Sequence, residues 1–140
     1  MMKEFSYDAL SVGDVFTSKF IVTENLVENY CKSLGLGAGQ SQPVPSSILA
    51  IYKPWYDAFG GRVAQGTIHL KQKMQYFHEV AAGDAFDVKV VVKAKYEKKG
   101  RDYLVHETSF FKGYHLYCRQ TTTQLWAFAQ KKGVGEKGEG

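Results

Sequence analysis

The second half of the chain alternates apolar and polar side chains with a period of two. Alternating runs cover residues 67–76, 86–96, 103–111 and 114–128, and this period is typical of half-buried antiparallel strands. Lys98-Lys99-Gly100-Arg101 and Lys112-Gly113 separate the last three runs and predict tight hairpin turns. In the first of these runs, His69 shares the outward phase with lysines. The pattern therefore predicts four long antiparallel strands in succession.

The first half of the chain predicts one further strand and two helical segments. Residues 15–23 alternate as a strand, and Thr23 is a plausible N-cap for a helix that stops at Gly35 or Gly37. A loop over Gly35–Pro45 follows. Residues 48–59 are apolar on nearly every side, which is typical of a buried helix. Pro54 lies inside this segment and predicts a break near Lys53.

This order of elements predicts an α+β fold in which a curved antiparallel sheet of about five strands wraps a long central helix. The hotdog fold matches the order best. A cystatin-like sheet fits less well, because its helix comes first and is amphipathic. We expect a single domain over residues 1–130 and a flexible tail over residues 131–140, where glycine and lysine dominate.

Charge and cysteine content exclude several classes of function. The chain has 140 residues and a formal net charge of +4, but the excess of basic residues is spread over several segments, which argues against nucleic-acid binding. Cys31 and Cys118 lie far apart with no metal-ligand spacing, so the sequence predicts no disulfide framework, no metal site and no cofactor. No membrane-spanning stretch or targeting segment is evident, and we expect a cytoplasmic protein without a membrane partner.

Several short motifs occur in an order that resembles a known family. Ser11-Val12-Gly13-Asp14-Val15-Phe16 is followed by His69-x-x-Gln72-x-x-x-Tyr76-x-x-x-x-x-Ala82-Gly83-Asp84. Together they resemble the MaoC-like hydratase/dehydratase family. Val44-Pro45-Ser46-Ser47 and Tyr96-Glu97-Lys98-Lys99-Gly100 extend the likeness to the non-catalytic half, or separate subunit, of the (3R)-hydroxyacyl thioester dehydratases. The resemblance spans about residues 8 to 128.

The resemblance implies a catalytic loop that this sequence lacks. Active members of the family add or remove water with an Asp and a His from a D-x-N-P-x-H loop before the central helix. The corresponding residues here, 34–43, contain no Asp, Glu or His. If the motif is aligned instead with Gln40–Pro45, the acid becomes Gln40 and the imidazole becomes Pro45, and neither side chain carries a proton at neutral pH. The Asp/His dyad is therefore absent.

Other elements of the family site have counterparts here. The resemblance places a backbone N–H that binds the thioester oxygen at Ser46, beside Ser47, although both serines also suit a helix cap. Tyr52 and Trp55 line an acyl tunnel or belong to the core. Gly66 begins the His69 motif, and Lys98, Lys99 and Arg101 either meet the phosphates of coenzyme A or form a solvated turn.

The remaining polar residues could also supply a replacement for the missing dyad, but the sequence favours this interpretation less than a loss of catalysis. His69 and Asp57, with Asp84, are the candidates for relocated acid/base groups, although nothing in their spacing requires such a role. His106 and Glu107 are neighbours in one strand, so they point to opposite faces and do not pair.

Two functions therefore remain open. The first is a catalytically silent hotdog subunit that binds an acyl-CoA or acyl-carrier thioester and pairs with an active hydratase-dehydratase subunit. The second is a self-sufficient enzyme, either an enoyl-CoA hydratase with relocated acid/base residues or a hotdog thioesterase. In both cases an open sheet edge predicts at least a dimer, with an identical or a different hotdog chain.

Overall fold

A five-stranded antiparallel sheet in the order β2-β5-β6-β7-β4 forms most of the molecule. Its strands are β2 (Val15–Ile21), β4 (Ile68–Tyr76), β5 (Ala85–Lys98), β6 (Arg101–Lys112) and β7 (His115–Leu125). A second, parallel pair joins β1 (Lys3–Glu4) to β3 (Gly61–Arg62). The computed structural model describes residues 3–35 and 44–128. Most of the Gly35–Pro45 loop and the predicted tail at 131–140 lie outside these residues.

The hairpins and the first helix form where the sequence predicts them. Helix α1 covers Glu24–Ser33, and the side chain of Thr23 caps it by accepting a hydrogen bond from the backbone N–H of Leu26 at 3.0 Å. Lys98 pairs with Arg101 across a two-residue loop between β5 and β6. Both loop residues have positive φ, which is typical of a type I′ hairpin turn.

The predicted long central helix is wrong in its length. The segment consists of a 3-10 helix, Ser46–Ile51, and a single π-helical turn, Trp55–Phe59. Between them Tyr52 is extended, with φ −60° and ψ 131°. The break lies at the predicted place because Pro54 has no N–H to continue a helix and restricts the residue before it. We call these two segments the split helix.

Two turns of the same design lead into β2 and β5, and they explain the two Gly-Asp motifs. In Ser11–Asp14 and in Ala81–Asp84, the carboxylate of the last residue accepts a hydrogen bond of 2.8 Å from the backbone N–H three residues earlier. The glycine before each aspartate has a φ of 96° and 95°, respectively, a region that side chains rarely adopt. The two Gly-Asp motifs therefore stabilise the turns that precede β2 and β5.

The core lies between the split helix and the inner face of the sheet. Phe86, Val88, Val90 and Val92 of β5 are buried there, together with aromatic residues of the split helix. The rings of Tyr52 and Phe110 meet edge to face at 5.5 Å between centroids. This apolar half of the inner face continues into β6 and then gives way to polar residues.

Candidate functional site

A β-bulge in β4 brings His69 onto the inner face of the sheet. His69 pairs with Gln124 of β7 and Gln72 pairs with Thr122, while Leu70 is the extra residue between the two registers. Because directly opposed residues of an antiparallel pair point to the same face, His69 and Gln72 both face inward. The predicted phase of His69 is therefore wrong, because simple alternation does not anticipate an inserted residue. The side chains of His69 and Gln72 are nevertheless exposed, as expected for His69.

Polar side chains continue this inner face across β6 and β7. His106 pairs with Thr122, and Thr108 pairs with Gln120. All four of these residues are buried, and so is Gln124. The half of the inner face formed by β6, β7 and β4 thus carries side chains that can form hydrogen bonds, in contrast to the valine-rich half formed by β5.

A cavity of about 330 Å³ separates this polar face from the split helix. The split helix and its break contribute mainly aromatic and apolar groups. Sheet residues contribute amides, a hydroxyl and two imidazoles. The lining residues are Ala50, Tyr52, Lys53, Pro54, Trp55, Tyr56, His69, Gln72, His106, Gln120, Thr122 and Gln124. No carboxylate is among them, which limits the acid/base chemistry that the described residues bring to this cavity.

His106 is the buried histidine of the cavity, with a relative exposure of 2%, whereas His69 is exposed. Its ring meets Trp55 edge to face at 5.6 Å. Burial lowers the pKa of its imidazole from 6.5 to about 4; a hydrogen-bonding interaction with the Gln124 side chain acts in the opposite direction, and His69 adds to the lowering. His106 is therefore neutral at pH 7, and it is a poor general base there because its proton affinity is too low.

Several buried polar atoms around the cavity have no hydrogen-bond partner within the described part of the chain. They are Nδ1 and Nε2 of His106, Oγ1 of Thr108 and Oε1 of Gln120. For His106 this refers to full hydrogen-bond geometry, since the Gln124 side chain still interacts with its ring. Leaving such a group unsatisfied costs about 1–3 kcal/mol, so native proteins rarely keep several together. Sequence reasoning missed this set, although the signal was present: His106 and Thr108 share the inward phase of β6 with Leu104 and Phe110.

Tyr52 and Trp55 line the cavity while they also anchor the split helix to the sheet. The Tyr52 hydroxyl forms a short hydrogen bond with Oγ of Ser18, and burial raises the pKa of this phenol. Trp55 Nε1 donates to Oε1 of Gln124 at 3.2 Å. Both residues are almost fully buried, so they belong to the core and to the cavity wall at once.

The candidate acid/base residues do not come together. Asp57 lies outside the cavity lining, and its carboxylate accepts a hydrogen bond from the backbone N–H of Lys53 at 2.8 Å. Asp84 holds its turn and forms an ion pair of 2.6 Å with Lys112, whose pKa it raises by this hydrogen bond. His69 alone of the three faces the cavity.

The remaining predicted binding residues lie at three separate places. Ser46 and Ser47 begin the split helix, and Oγ of Ser47 is 2.7 Å from the Tyr30 hydroxyl. Gly66 lies in the turn before β4 with a φ of 85°. Lys98, Lys99 and Arg101 form the β5–β6 hairpin tip, where Arg101 covers the ring of Phe128 at 4.3 Å. None of these residues lines the cavity.

Other kinds of reactive site are not found in the described residues. Both cysteines are free and buried, and burial raises the pKa of the Cys118 thiol to about 11, which disfavours a thiolate nucleophile. Within residues 3–35 and 44–128, no group of three or more His, Cys, Asp or Glu side chains is placed to hold a metal ion. The same part of the chain contains no helix with the length and apolarity needed to span a membrane.

Comparison with known proteins identifies the fold. Neither a protein-family model nor a curated protein matches the chain. A MaoC-like dehydratase from Rhodospirillum rubrum is similar in structure, with a TM-score of 0.68, 16% sequence identity and coverage of 86% of this chain and 94% of that chain. The HadBC complex of Mycobacterium tuberculosis, a (3R)-hydroxyacyl-ACP dehydratase, is also similar in structure. Its TM-score is 0.65 at 19% sequence identity, and the match covers 81% of this chain and 96% of that chain.

The (R)-hydratase from A. caviae that is involved in PHA biosynthesis gives a TM-score of 0.64 at 18% identity, with coverage of 83% of this chain and 96% of that chain. All three likenesses extend over nearly the whole of the known structures. This chain has the hotdog fold of the MaoC-like dehydratases and (R)-hydratases.

Proposed function

We propose that this protein is a catalytically silent hotdog subunit that binds an acyl-CoA or acyl-carrier thioester and pairs with an active hydratase-dehydratase subunit. The observation that carries the proposal is the cavity between split helix and sheet, which has an aromatic wall but no carboxylate among its lining residues. Such a cavity suits binding of an acyl group better than proton transfer.

Reversible hydration of an acyl thioester requires one group to activate water and another to move a proton. A carboxylate and an imidazole held close together meet this need near neutral pH. Here His69 lines the cavity with no carboxylate among the other lining residues, and the Asp57 carboxylate accepts a hydrogen bond from the backbone N–H of Lys53. Residues 34–43, where the family dyad falls, contain no Asp, Glu or His.

The edge of β4 supports pairing with a second hotdog chain. In the described residues β4 pairs only with β7, so its other edge is open, and Leu70, Tyr76 and Phe77 are exposed at or just beyond it. Open strand edges with apolar side chains are normally covered. The HadBC neighbour is itself a complex, which supports a partner of the same fold.

The thioester and the coenzyme are assigned to residues outside the cavity. Ser46, at the start of the split helix, would bind the thioester oxygen through its backbone N–H, with Ser47 and Gly66 as further substrate-binding residues. Lys98, Lys99 and Arg101 would meet the phosphates. These roles come from the resemblance in sequence, and the exposure of the two lysines at the hairpin tip is compatible with them.

Recovery of the tagged chain from its native cell tests the proposal. We expect a second hotdog chain that carries a D-x-N-P-x-H loop to co-purify, and we expect the complex to hydrate crotonyl-CoA. Substitution of the partner's acid/base residues should abolish this activity. Recovery of this chain only as a homo-oligomer, without any hotdog partner, would contradict the proposal.

A self-sufficient thioester enzyme, either a hydratase or a thioesterase, is the second candidate. The bulge in β4 favours it, because it turns His69 into the cavity. This candidate requires turnover by the isolated chain that falls at least about tenfold, or ~1.4 kcal/mol in barrier height, in His69→Gln or Asp57→Asn. His78→Gln is the matched control, since His78 is exposed and lies outside the cavity lining.

A further inference from the structure

The cavity has two chemically different walls. Trp55 and Tyr56 belong to the wall formed by the split helix, while Gln72, Gln120 and Thr122 belong to the wall formed by the sheet. A plain alkyl chain would suit the first wall only. The second wall would lose hydration without gaining a partner, which is unfavourable for every buried amide or hydroxyl.

The polar wall also contains buried donor and acceptor atoms that lack a full hydrogen bond. Oε1 of Gln120 is buried without a partner among the described residues, and neither ring nitrogen of His106 has a partner at full hydrogen-bond geometry, although the Gln124 side chain interacts with this ring. His106 pairs across the strands with Thr122, and Gln120 pairs with Thr108, so these groups form one continuous patch over β6 and β7. A ligand atom in the cavity would satisfy several of them at once.

The lining of the cavity is nearly uncharged, which favours a neutral polar group on the ligand. No carboxylate lines it, and its one lysine, Lys53, is exposed. Burial keeps His106 neutral at pH 7 by lowering its pKa to about 4, so the ring offers one donor and one acceptor. A hydroxyl group, which also donates and accepts, complements such a ring, whereas a charged group would lack a counter-ion at this depth.

Cavity size is compatible with a short chain that ends in such a group. A volume of about 330 Å³ is about ten times the ~30 Å³ that one water molecule takes in the liquid. A six-carbon chain with one terminal oxygen fits this space. Its methylene groups would contact the aromatic wall, and its oxygen would reach the polar patch.

We propose that the cavity selects an acyl group carrying a neutral hydroxyl near its far end, and that His106, Gln120 and Thr122 are the residues that recognise this hydroxyl. The inference deepens the proposed function and rests on it, because it requires the acyl part of a thioester to enter this cavity. His106, Gln120 and Thr122 are then specificity-determining residues.

Calorimetric titration of the full chain with two matched esters, hexanoyl-CoA and 6-hydroxyhexanoyl-CoA, tests the inference. We expect the hydroxylated ester to bind at least about tenfold more tightly. Gln120→Leu and Thr122→Val should each reduce this preference to about twofold or less while hexanoyl-CoA binding persists. Thr121→Val, the same change on the outer face of β7, is the matched control and should keep the full preference.

Melting temperatures of the free variants provide a second readout. Thr108→Val and Gln120→Leu remove buried polar atoms that have no partner, so both variants should melt at or above the temperature of the natural chain. A folded Gln120→Leu variant that retains the full preference would overturn the inference.

The possible failures are distinguishable. Equal binding of the two esters to the natural chain would overturn the inference and leave the proposed function standing, with water alone filling the polar wall. Loss of the preference in Thr121→Val would also overturn it, because the effect would then not belong to the cavity. Absence of binding by both esters would contradict the proposed function and this inference together.

Discussion

His106 has an unusual environment for an ionisable side chain among the described residues. It is a buried imidazole between aromatic rings and polar side chains, on the strand that lies at the centre of the sheet. It lies where the inner face changes from the valine-rich half to the polar half. The same position makes the folded protein sensitive to pH.

We expect the free energy of unfolding to fall by about 3 kcal/mol as the pH is lowered from 7 to 4, through His106 alone. The unfolded chain takes up a proton on this imidazole below about pH 6.5, whereas the folded chain does so only below about pH 4. Unfolding is therefore progressively favoured through this window, and stability is highest above it. Urea denaturation at pH 7, 5.5 and 4 measures the effect.

The control for this prediction compares two histidines. His106→Phe should lose most of the decline with pH, since an apolar ring of similar shape has no proton to gain. His78→Gln, at an exposed position, should keep it. If the natural chain and His106→Phe lose the same amount of stability between pH 7 and pH 4, this explanation of His106 is contradicted.

At the scale of elements, the hairpin between β5 and β6 combines a structural cost with an expected binding role. Lys99 has a φ of 53° and Gly100 a φ of 76°. The left-handed region is unfavourable for lysine, and asparagine tolerates it better. Lys99→Asn should therefore stabilise the protein by about 0.5–1 kcal/mol, measured by denaturant titration.

The same substitution tests whether this tip binds the phosphates of coenzyme A. Loss of one charge contact is worth about 1 kcal/mol in water, so affinity for hexanoyl-CoA should fall about fivefold in Lys99→Asn. Lys98→Asn, outside the two-residue loop, should weaken binding without the gain in stability. Unchanged affinity in both variants would remove the hairpin from the binding site.

The strands and turns were predictable from sequence because their signals are local. A period of two, the Thr23 cap and the Lys99-Gly100 loop each depend on residues close together in the chain. The five-stranded sheet and the hotdog arrangement followed from their order. Elements of this kind are specified before tertiary packing acts.

Two features were not predictable in this way. The bulge at Leu70 shifts the phase of β4 by one residue, and no glycine or proline marks it in the sequence. Pro54 indicated the break in the central segment, but not that each part would shorten to a 3-10 helix and a π-helical turn. The candidate site depends on both, since the bulge brings in His69 and the break forms part of the cavity wall.

At the scale of the whole molecule, the open edge of β4 is the expected site of assembly. Leu70 is 46% exposed there, and Val15 on β2, at the opposite edge of the sheet, is 51% exposed. Leu70→Asp should raise the apparent dissociation constant of the dimer or heterodimer at least about tenfold, because a charge would be buried at the junction. Val15→Asp should leave assembly unchanged.

Light scattering over a range of concentrations measures this difference. Dissociation by Val15→Asp but not by Leu70→Asp would move the junction to β2. A natural chain that is monomeric at micromolar concentration, both alone and with its co-purified partner, would contradict assembly altogether.

The central claim is that this protein binds an acyl thioester without transforming it. The most direct measurement takes one sample of the isolated chain and determines both its affinity for crotonyl-CoA by calorimetry and its rate of crotonyl-CoA hydration by absorbance. The account predicts saturable binding and no hydration above the buffer rate, with hydration restored when the partner subunit is added. Hydration by the isolated chain that falls at least about tenfold in His69→Gln, and not in His78→Gln, would contradict it.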